Sequence, residues 1–556
     1  MNYWHDYPRP LGFRHVMEGR PPAAQGSRLF FLPAEIHDLI FGFVAKDRDD
    51  LATLALVNSD CRQIARSYQF CTVTFTGSLT CEQGILALLQ REAIERRQDR
   101  GACYGRTRKP SLGVCIRKVI AGDSGLDRWL YFHTRSPAGQ SEQHHAWWQY
   151  QLSRIIEYQH RVYRPAVLSV MASLPNLDEA IILRNGKIGA PVLDEHLLNC
   201  LAGSTLRELE LKVTMVERCP QVAAGVTWPL ESLDLRLEWD ERVQNGGVGL
   251  DVSAYCDCIL RLCCADLERL RIRLPITTPG SSWCYPVHLR LQFPRLRRLD
   301  LLEFGNLQHM GMSSLLTTSR CLAVLSIDCS LQRVQTFLRH TDAIPTLRVL
   351  ILLYKARPRP PPLTAQGGHP HPASRRRRLQ GLTTGVLERI VSIISRNTGL
   401  KKVSMTFEDV SIPPAELRCL AALEGPELEE LHIGAGWADR PRRPGWLVDH
   451  GELRRILVST PGARAATRKL TSLSLTGDAS RCLANWGMTG YCSYERSVSE
   501  EHRSRMRREA LAYARALPEL EVVYIGVMGH GLARLGGAVT VGWDWEDVEF
   551  DPAGWW

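Results

Sequence analysis

Gly122-Asp123-Ser124-Gly125 sets a candidate nucleophile between turn-forming residues. Acyl transfer at such a serine also needs a histidine base, an orienting carboxylate and an oxyanion hole. Leu126 stands where a further glycine would free the backbone, and no matching histidine segment lies upstream. The segment therefore reads as a loop. Cys256, Cys258, Cys263 and Cys264 fall within nine residues. Zinc sites draw paired Cys-x2-4-Cys ligands from two separate arms. This run lies in an expected helix just before Leu267, where cysteine acts as a small core residue. His369 with His371, and His144 with His145, have no complementary ligand set in the sequence. No phosphate loop, dinucleotide fingerprint or zinc-protease helix is present in the sequence, and nothing assembles nucleophile, base and electrophile. The expectation is a chain that is not an enzyme and holds no cofactor or metal.

The chain has 556 residues, 44% hydrophobic and 23% charged, which is enough to bury a large core. That balance excludes wholesale disorder. No run of 18 apolar residues occurs, so no membrane partner is expected. Met1–Pro10 is polar and broken by Pro8 and Pro10, unlike the apolar centre of a signal peptide. With 17 scattered cysteines, this points to reduced thiols in the cytoplasm or nucleus. The net charge of +10 is concentrated: Lys355, Arg357, Arg359 and Arg375 to Arg378 lie within residues 354–380 without an acid, leaving +3 elsewhere. The charge marks one segment and not a basic face, so no nucleic acid is expected. Four consecutive arginines could be a nuclear address, but a solvated loop is the commoner reading of such a run.

The elements that would hold a binding site are repetitive. Leu206, Leu230, Leu267, Leu296, Leu400, Leu428 and Leu470 each open an apolar-polar-polar-apolar-polar-apolar segment, such as Leu206-Arg-Glu-Leu209-Glu-Leu211. Only about one or two such segments are expected by chance. Looser copies begin at Ile116, Leu177, Leu322, Leu347 and Leu520. The close copies start 24, 37, 29, 104, 28 and 42 residues apart, and the looser copies at Leu322 and Leu347 subdivide the 104. A 24–29-residue unit fits a leucine-rich repeat, a short strand with a helical return. Residues two apart on a strand share a face, so Leu209 and Leu211 turn toward a core that only the next unit completes. Their intervening neighbours are expected to turn outward. The Asn or Cys of the repeat consensus is replaced by Thr214, Glu238, Pro275, Phe304 and Gly436, so the solenoid is irregular.

Ahead of the repeats, Leu29 to Phe75 is compact and apolar. Pro33 suits a first helical turn. Ile36, Ile40, Phe43 and Val44 then form one stripe. Asp50 is the expected N-cap of a second helix with Leu51, Leu54 and Val57. Ser59 is expected to cap a third, with Ile64, Ala65 and Tyr68 on one face. Three helices in so few residues bury little surface alone and need a partner. Phe31-Leu32-Pro33-Ala34-Glu35-Ile36, then Asp50-Leu51-Ala52-Thr53-Leu54-Ala55-Leu56-Val57, then Arg62-Gln63-Ile64-Ala65, resembles an F-box in the order of its elements. Cys61 stands near the tryptophan common late in that motif. The whole resembles F-box proteins with divergent leucine-rich repeats of fungal type.

The resemblance implies the substrate-recognition subunit of an SCF-type ubiquitin ligase. It implies a Skp-type adaptor and, through it, a cullin with its RING subunit as partners. Leu32, Pro33, Ile36, Ile40, Leu51, Leu54 and Val57 match the positions used for adaptor contact or its support. The target would be a protein of unknown identity. The alternatives are a solenoid scaffold capped by the helical block, without a ligase role, and a serine hydrolase using Ser124. The fold expected is α/β: a small all-α block of three helices, then an irregular leucine-rich-repeat-like solenoid. The layout is a disordered arm over 1–27, the F-box over 28–75, and a helical connector with the start of the solenoid over 76–175. The solenoid runs over 176–530 with a disordered insertion at 355–380, and an acidic-aromatic tail covers 531–556. Trp543-Asp-Trp545 in that tail could dock a peptide or form a terminal strand, and the strand is favoured.

The Pro- and Arg-rich composition of 355–380 cannot support a packed core. Limited trypsin digestion should cut first at Arg375 to Arg378, with the two fragments staying associated on gel filtration. Native resistance across those four arginines would contradict this.

Overall fold

The computed structural model of the chain describes residues 11–18, 28–75, 82–99, 111–122, 147, 150, 153–154, 157–182, 194–215, 226–239, 252–273, 291–302, 316, 319–329, 344–355, 386–408, 414–436, 449–476, 500–526, 528–535 and 538–546. They form two compact units, Met1–Pro275 and Ile276–Trp556. The protein is mixed α/β, with a largely parallel sheet and many helices.

The first unit opens with α1 (Ala34–Val44), α2 (Arg48–Val57) and α3 (Ser59–Gln69). Six parallel strands follow in chain order: β1 (Thr72–Phe75), β2 (Lys118–Ala121), β3 (Glu179–Ile182), β4 (Glu208–Met215), β5 (Ser232–Trp239) and β6 (Arg269–Arg273). The return segments hold α4 (Glu82–Asp99), α5 (Arg164–Met171), α6 (Glu195–Ala202) and α7 (Val252–Cys263). In the second unit β7 (Arg298–Leu302), β8 (Val324–Cys329), β9 (Val349–Lys355), β10 (Lys402–Glu408), β11 (Glu430–Gly436), β12 (Ser472–Thr476) and β13 (Val522–Gly526) are parallel. Its described helices include α8 (Val386–Arg396), α9 (His450–Ser459), α10 (Pro461–Ala466) and α11 (Glu500–Ala516).

Every repeat copy, close or loose, becomes a strand that begins two residues after its opening apolar residue. Register stacks the apolar positions in rows. Val73, Val119, Ala180, Leu209, Leu233 and Leu270 face one another across the first unit. Leu299, Leu325, Leu350, Val403, Leu431, Leu473 and Val523 do so in the second. All thirteen are buried. The helices close the core with Leu197, Leu198 and Leu201 from α6, Ile390, Val391 and Ile394 from α8, and Leu453, Ile456 and Leu457 from α9. At two of the positions where the consensus Asn is missing, the strands run on: β4 and β5 each span eight residues and pair Thr214 with Glu238.

Several expectations are corrected. The arm over 1–27 is not wholly without structure. Phe13–Val16 is helical, Val16 and Met17 are buried, and the Gln63 side chain donates to the Val16 carbonyl. The first strand starts at Thr72, inside the stretch assigned to the helical block, because α3 runs directly into the sheet. The boundary at 530/531 falls inside a strand. β14 (Met528–Leu535) and β15 (Ala538–Glu546) form an antiparallel hairpin on β13, which ends the parallel stack. Register sets Trp543 and Trp545 opposite Gly531 and Gly529 there. Of the insertion, Lys355 ends β9, and 356–380 lies outside the described residues. No described helix is long and apolar enough to cross a membrane.

Leu233 and Leu299 are middle residues of the stacked rows and almost wholly buried. Replacing either with Ala should destabilise its unit by about 2–5 kcal/mol. Thr74→Ala, on the outward face, should be within about 0.5 kcal/mol of wild type. Urea melts of the full chain followed by circular dichroism test both.

Candidate functional site

The three N-terminal helices are built around a small core of Phe30, Phe41, Cys61 and Ile64, with Leu29, Leu54 and Tyr68 against it. A turn of 3-10 helix, Arg28–Phe31, leads to Pro33, whose extended backbone (φ −54°, ψ 150°) starts α1. The Pro33 carbonyl accepts from the Ile36 and His37 N–H groups. His37 is buried between the Phe30 and Phe41 rings, and its Nε2–H donates to the Leu29 carbonyl at 2.6 Å. That bond fixes the turn against the helix.

The caps differ from expectation. Asp47, not Asp50, caps α2 by accepting from the Asp49 and Asp50 N–H groups. Asn58, not Ser59, caps α3 by accepting from Cys61 N–H at 2.7 Å. In each case the helix begins earlier than its apolar periodicity suggests. The cap must lie in extended backbone ahead of the first turn.

With His37 and Phe41 turned inward, the other face of α1 carries Ile36, Leu39, Ile40 and Phe43, spaced three and four apart. This stripe is left uncovered. Leu39 is 70% and Phe43 72% exposed, while Ile36 and Ile40 are 40% and 36% exposed. At its start Phe31 is 74% and Leu32 39% exposed, and the end of α2 adds Leu56 and Val57 at 80% and 66%. Lys46 Nζ sits 5.4 Å from the Phe43 ring centre, so a cation flanks the stripe. Exposed large apolar groups gathered on one helix face mark an interaction surface.

Of the seven residues matched to adaptor contact, Leu32, Pro33, Ile36, Ile40 and Val57 are exposed. Leu51 and Leu54 are not on that face. Leu51 is buried and Leu54 packs on the internal cluster, so both support the helices from within. Leu39 and Leu56 were not among the matched seven, and both are exposed beside them. Phe31 belongs to the matched motif, and its side chain extends the exposed face.

The helical block is also joined to the sheet and is not remote from it. Gln63 Nε2 donates to the Ser111 carbonyl at 3.0 Å. Arg117 Nη2 donates to the Ser67 carbonyl at 3.0 Å, and the Arg117 and Lys118 N–H groups share the Cys71 carbonyl. Burial lowers the pKa of Arg117, although its surroundings still favour the cation.

The other candidates for chemistry separate clearly. Cys256 and Cys263 are buried in α7 and Cys258 and Cys264 are half-buried, with burial raising the pKa of the Cys263 and Cys264 thiols. Among the described residues no group of three His, Cys, Asp or Glu side chains could hold a metal ion. Ser124, His144, His145, His369, His371 and Arg375 to Arg378 lie outside the described residues. One pairing was not visible in sequence. Ser404 Oγ and His432 Nδ1 are 2.7 Å apart on neighbouring strands, enclosed from solvent, and burial pushes the His432 pKa down to about 3.

No protein-family model matches the chain, and no curated protein does. Among solved structures, the crystal structure of a TLR13–ssRNA13 complex is similar over 65% of this chain at 12% identity, with a TM-score of 0.27. The chain spans 36% of the length of that structure's chain.

Proposed function

We propose that this chain is the target-recognition subunit of an SCF-type ubiquitin ligase. In this reading the α1 face docks a Skp-type adaptor, and the repeat stack behind it holds a protein target. The observation that supports it most is the uncovered stripe Ile36, Leu39, Ile40 and Phe43, continued by Phe31 and Leu32. The F-box-like order of motifs lies on the same helices. Covering the remaining exposed area of such side chains would contribute about 1–2 kcal/mol each. Summed over the stripe, that is comparable to the roughly 4–15 kcal/mol that association costs.

The chain does no bond chemistry in this mechanism. It holds a target beside a ubiquitin-charged enzyme, so that transfer becomes effectively intramolecular. A second reading has an observation in its favour. α3 feeds β1 and binds the first repeats through Gln63 and Ser67, as a cap on a scaffold would. A cap alone leaves the outward stripe of α1 without a purpose.

Ile40→Asp should abolish co-precipitation of adaptor and cullin, because a charge at the centre of a desolvated apolar contact costs several kcal/mol. Leu32→Ala with Pro33→Ala should weaken it. Ile40→Asp should lower the melting temperature far less than a core substitution, since Ile40 is partly exposed. Phe41→Ala, one residue along but buried, should instead destabilise the block by about 3–5 kcal/mol. A wild-type chain that captures neither adaptor nor cullin would rule out the ligase reading and leave the scaffold.

A further inference from the structure

The two units treat the outward side of their strands differently. In the second unit the residues between the stacked apolar pairs are Asp300, Ser326, Ile351, Ser404, His432, Ser474 and Tyr524, and all seven are buried. That row is closed to a partner. In the first unit the matching residues are Thr74, Ile120, Ile181, Glu210, Asp234 and Arg271, and none is buried. Register places Ile120 beside Ile181, Ile181 beside Glu210, and Glu210 beside Asp234.

The charges around this row are nearly all engaged. Asp234 accepts from Arg271 at 3.2 Å and Arg273 at 3.3 Å. Lys118 pairs with Glu179 at 2.8 Å and Arg269 with Glu208 at 2.6 Å. Lys212 and Arg236 are not free either. Glu210 differs: it is half-buried, and no described side chain or backbone group gives it a hydrogen bond or an ion pair. Burial and the neighbouring Asp234 raise its pKa, against the pull of Arg273 and Arg271. A carboxylate kept partly from water without a direct hydrogen bond or ion pair among the described residues is a cost that a bound cation removes.

We propose that the outward face of β2 to β4 is a docking surface for an extended peptide segment, and that Glu210 receives a lysine or arginine of it while Ile181 and Ile120 take an aliphatic neighbour. This rests on the reading of the stack as a recognition surface, not on the ligase role. Strands stand about 4.8 Å apart and an extended chain rises about 3.3 Å per residue. The aliphatic residue therefore lies about one to three positions from the cation.

The test is an array of short synthetic peptides probed with the full chain. Each peptide carries one Lys or Arg with aliphatic residues nearby, beside counterparts with Gln or Glu in place of the cation. Cationic peptides should bind about tenfold or more tightly than their Gln counterparts, the size of one charge-assisted contact. Glu210→Gln should erase that preference, and Glu210→Lys should transfer it to the Glu peptides. Because Glu210 has no hydrogen-bond or ion-pair partner among the described residues, Glu210→Gln should melt at or above the wild-type temperature. Any of four results overturns the proposal: preference for acidic peptides, a cation preference that survives Glu210→Gln, no binding above scrambled peptides, or a lowered melting temperature in Glu210→Gln. Adaptor capture by wild type and Glu210→Gln is measured alongside. Loss of capture with intact peptide selection would count against the ligase reading alone, and the converse against this surface alone.

Discussion

Within each unit the fold depends on one repeated hydrogen-bond pattern at the entry to each strand. A single carbonyl accepts from two successive N–H groups of the next repeat. Cys71 accepts from Arg117 and Lys118, Arg117 from Asp178 and Glu179, Asp178 from Arg207 and Glu208, Arg207 from Glu231 and Ser232, and Glu231 from Glu268 and Arg269. The second unit continues the pattern from Arg297 through Ala323, Arg348, Lys401, Glu429 and Thr471 to Glu521 and Val522. After the first of each series, each acceptor is itself one of the two donors in the preceding step, so the bonds form a chain. A slip of one residue would break both bonds and turn every leucine of the strand to the wrong face. The apolar rows follow from that fixed register, and the polar pair in Leu-x-x-Leu is where the chain of bonds runs.

This is why the repeat could be read from sequence although the Asn ladder was missing. The motif reports the entry geometry and the first inward pair, and both are local. Longer strands, such as β4 with Thr214 in its ladder, show that the exit from the strand is free to vary. What was not legible depends on distant residues. Ser404 meets His432 across 28 residues of chain. The closed outward row of the second unit cannot be inferred from alternation, which says only that Ser326 and Ser474 point away from the leucines. The hairpin at the end of the stack reads as acidic and aromatic, and its strand character lies in a register that sets tryptophans opposite glycines.

The helical block was legible in its elements and only partly in its faces. Apolar spacing located α1, α2 and α3, but two apolar stripes compete on α1 and periodicity cannot rank them. The choice is made by His37, whose bond to the Leu29 carbonyl brings Phe41 inside and leaves Ile36, Leu39, Ile40 and Phe43 outside. Leu51 and Leu54 were matched to contact or its support by their positions in a motif. Leu54 packs on the cluster of Phe41 and Ile64, and Leu51 is buried, so both fall on the side of support. A polar residue inside and large apolar residues outside is the reverse of an independently stable helix bundle. The inversion is tolerated because α3 is anchored elsewhere, on Ser111 and Arg117.

That anchoring bears on how a recognition protein of the proposed kind would work. Proximity raises a transfer rate only if the target is held at a fixed offset from the enzyme that modifies it. A flexible tether between docking helix and repeats would spread that offset over many orientations. Here the link is short and bonded at several points. α3 ends at Gln69, β1 begins at Thr72, and between them Cys71 starts the chain of shared carbonyls. Arg117 joins both sides at once, with its main chain on Cys71 and its guanidinium on the α3 carbonyl of Ser67. The exposed stripe of α1 and the open row of β2 to β4 therefore belong to one compact unit. A partner on the first and a peptide on the second would be held in a relation set by the packing of that unit.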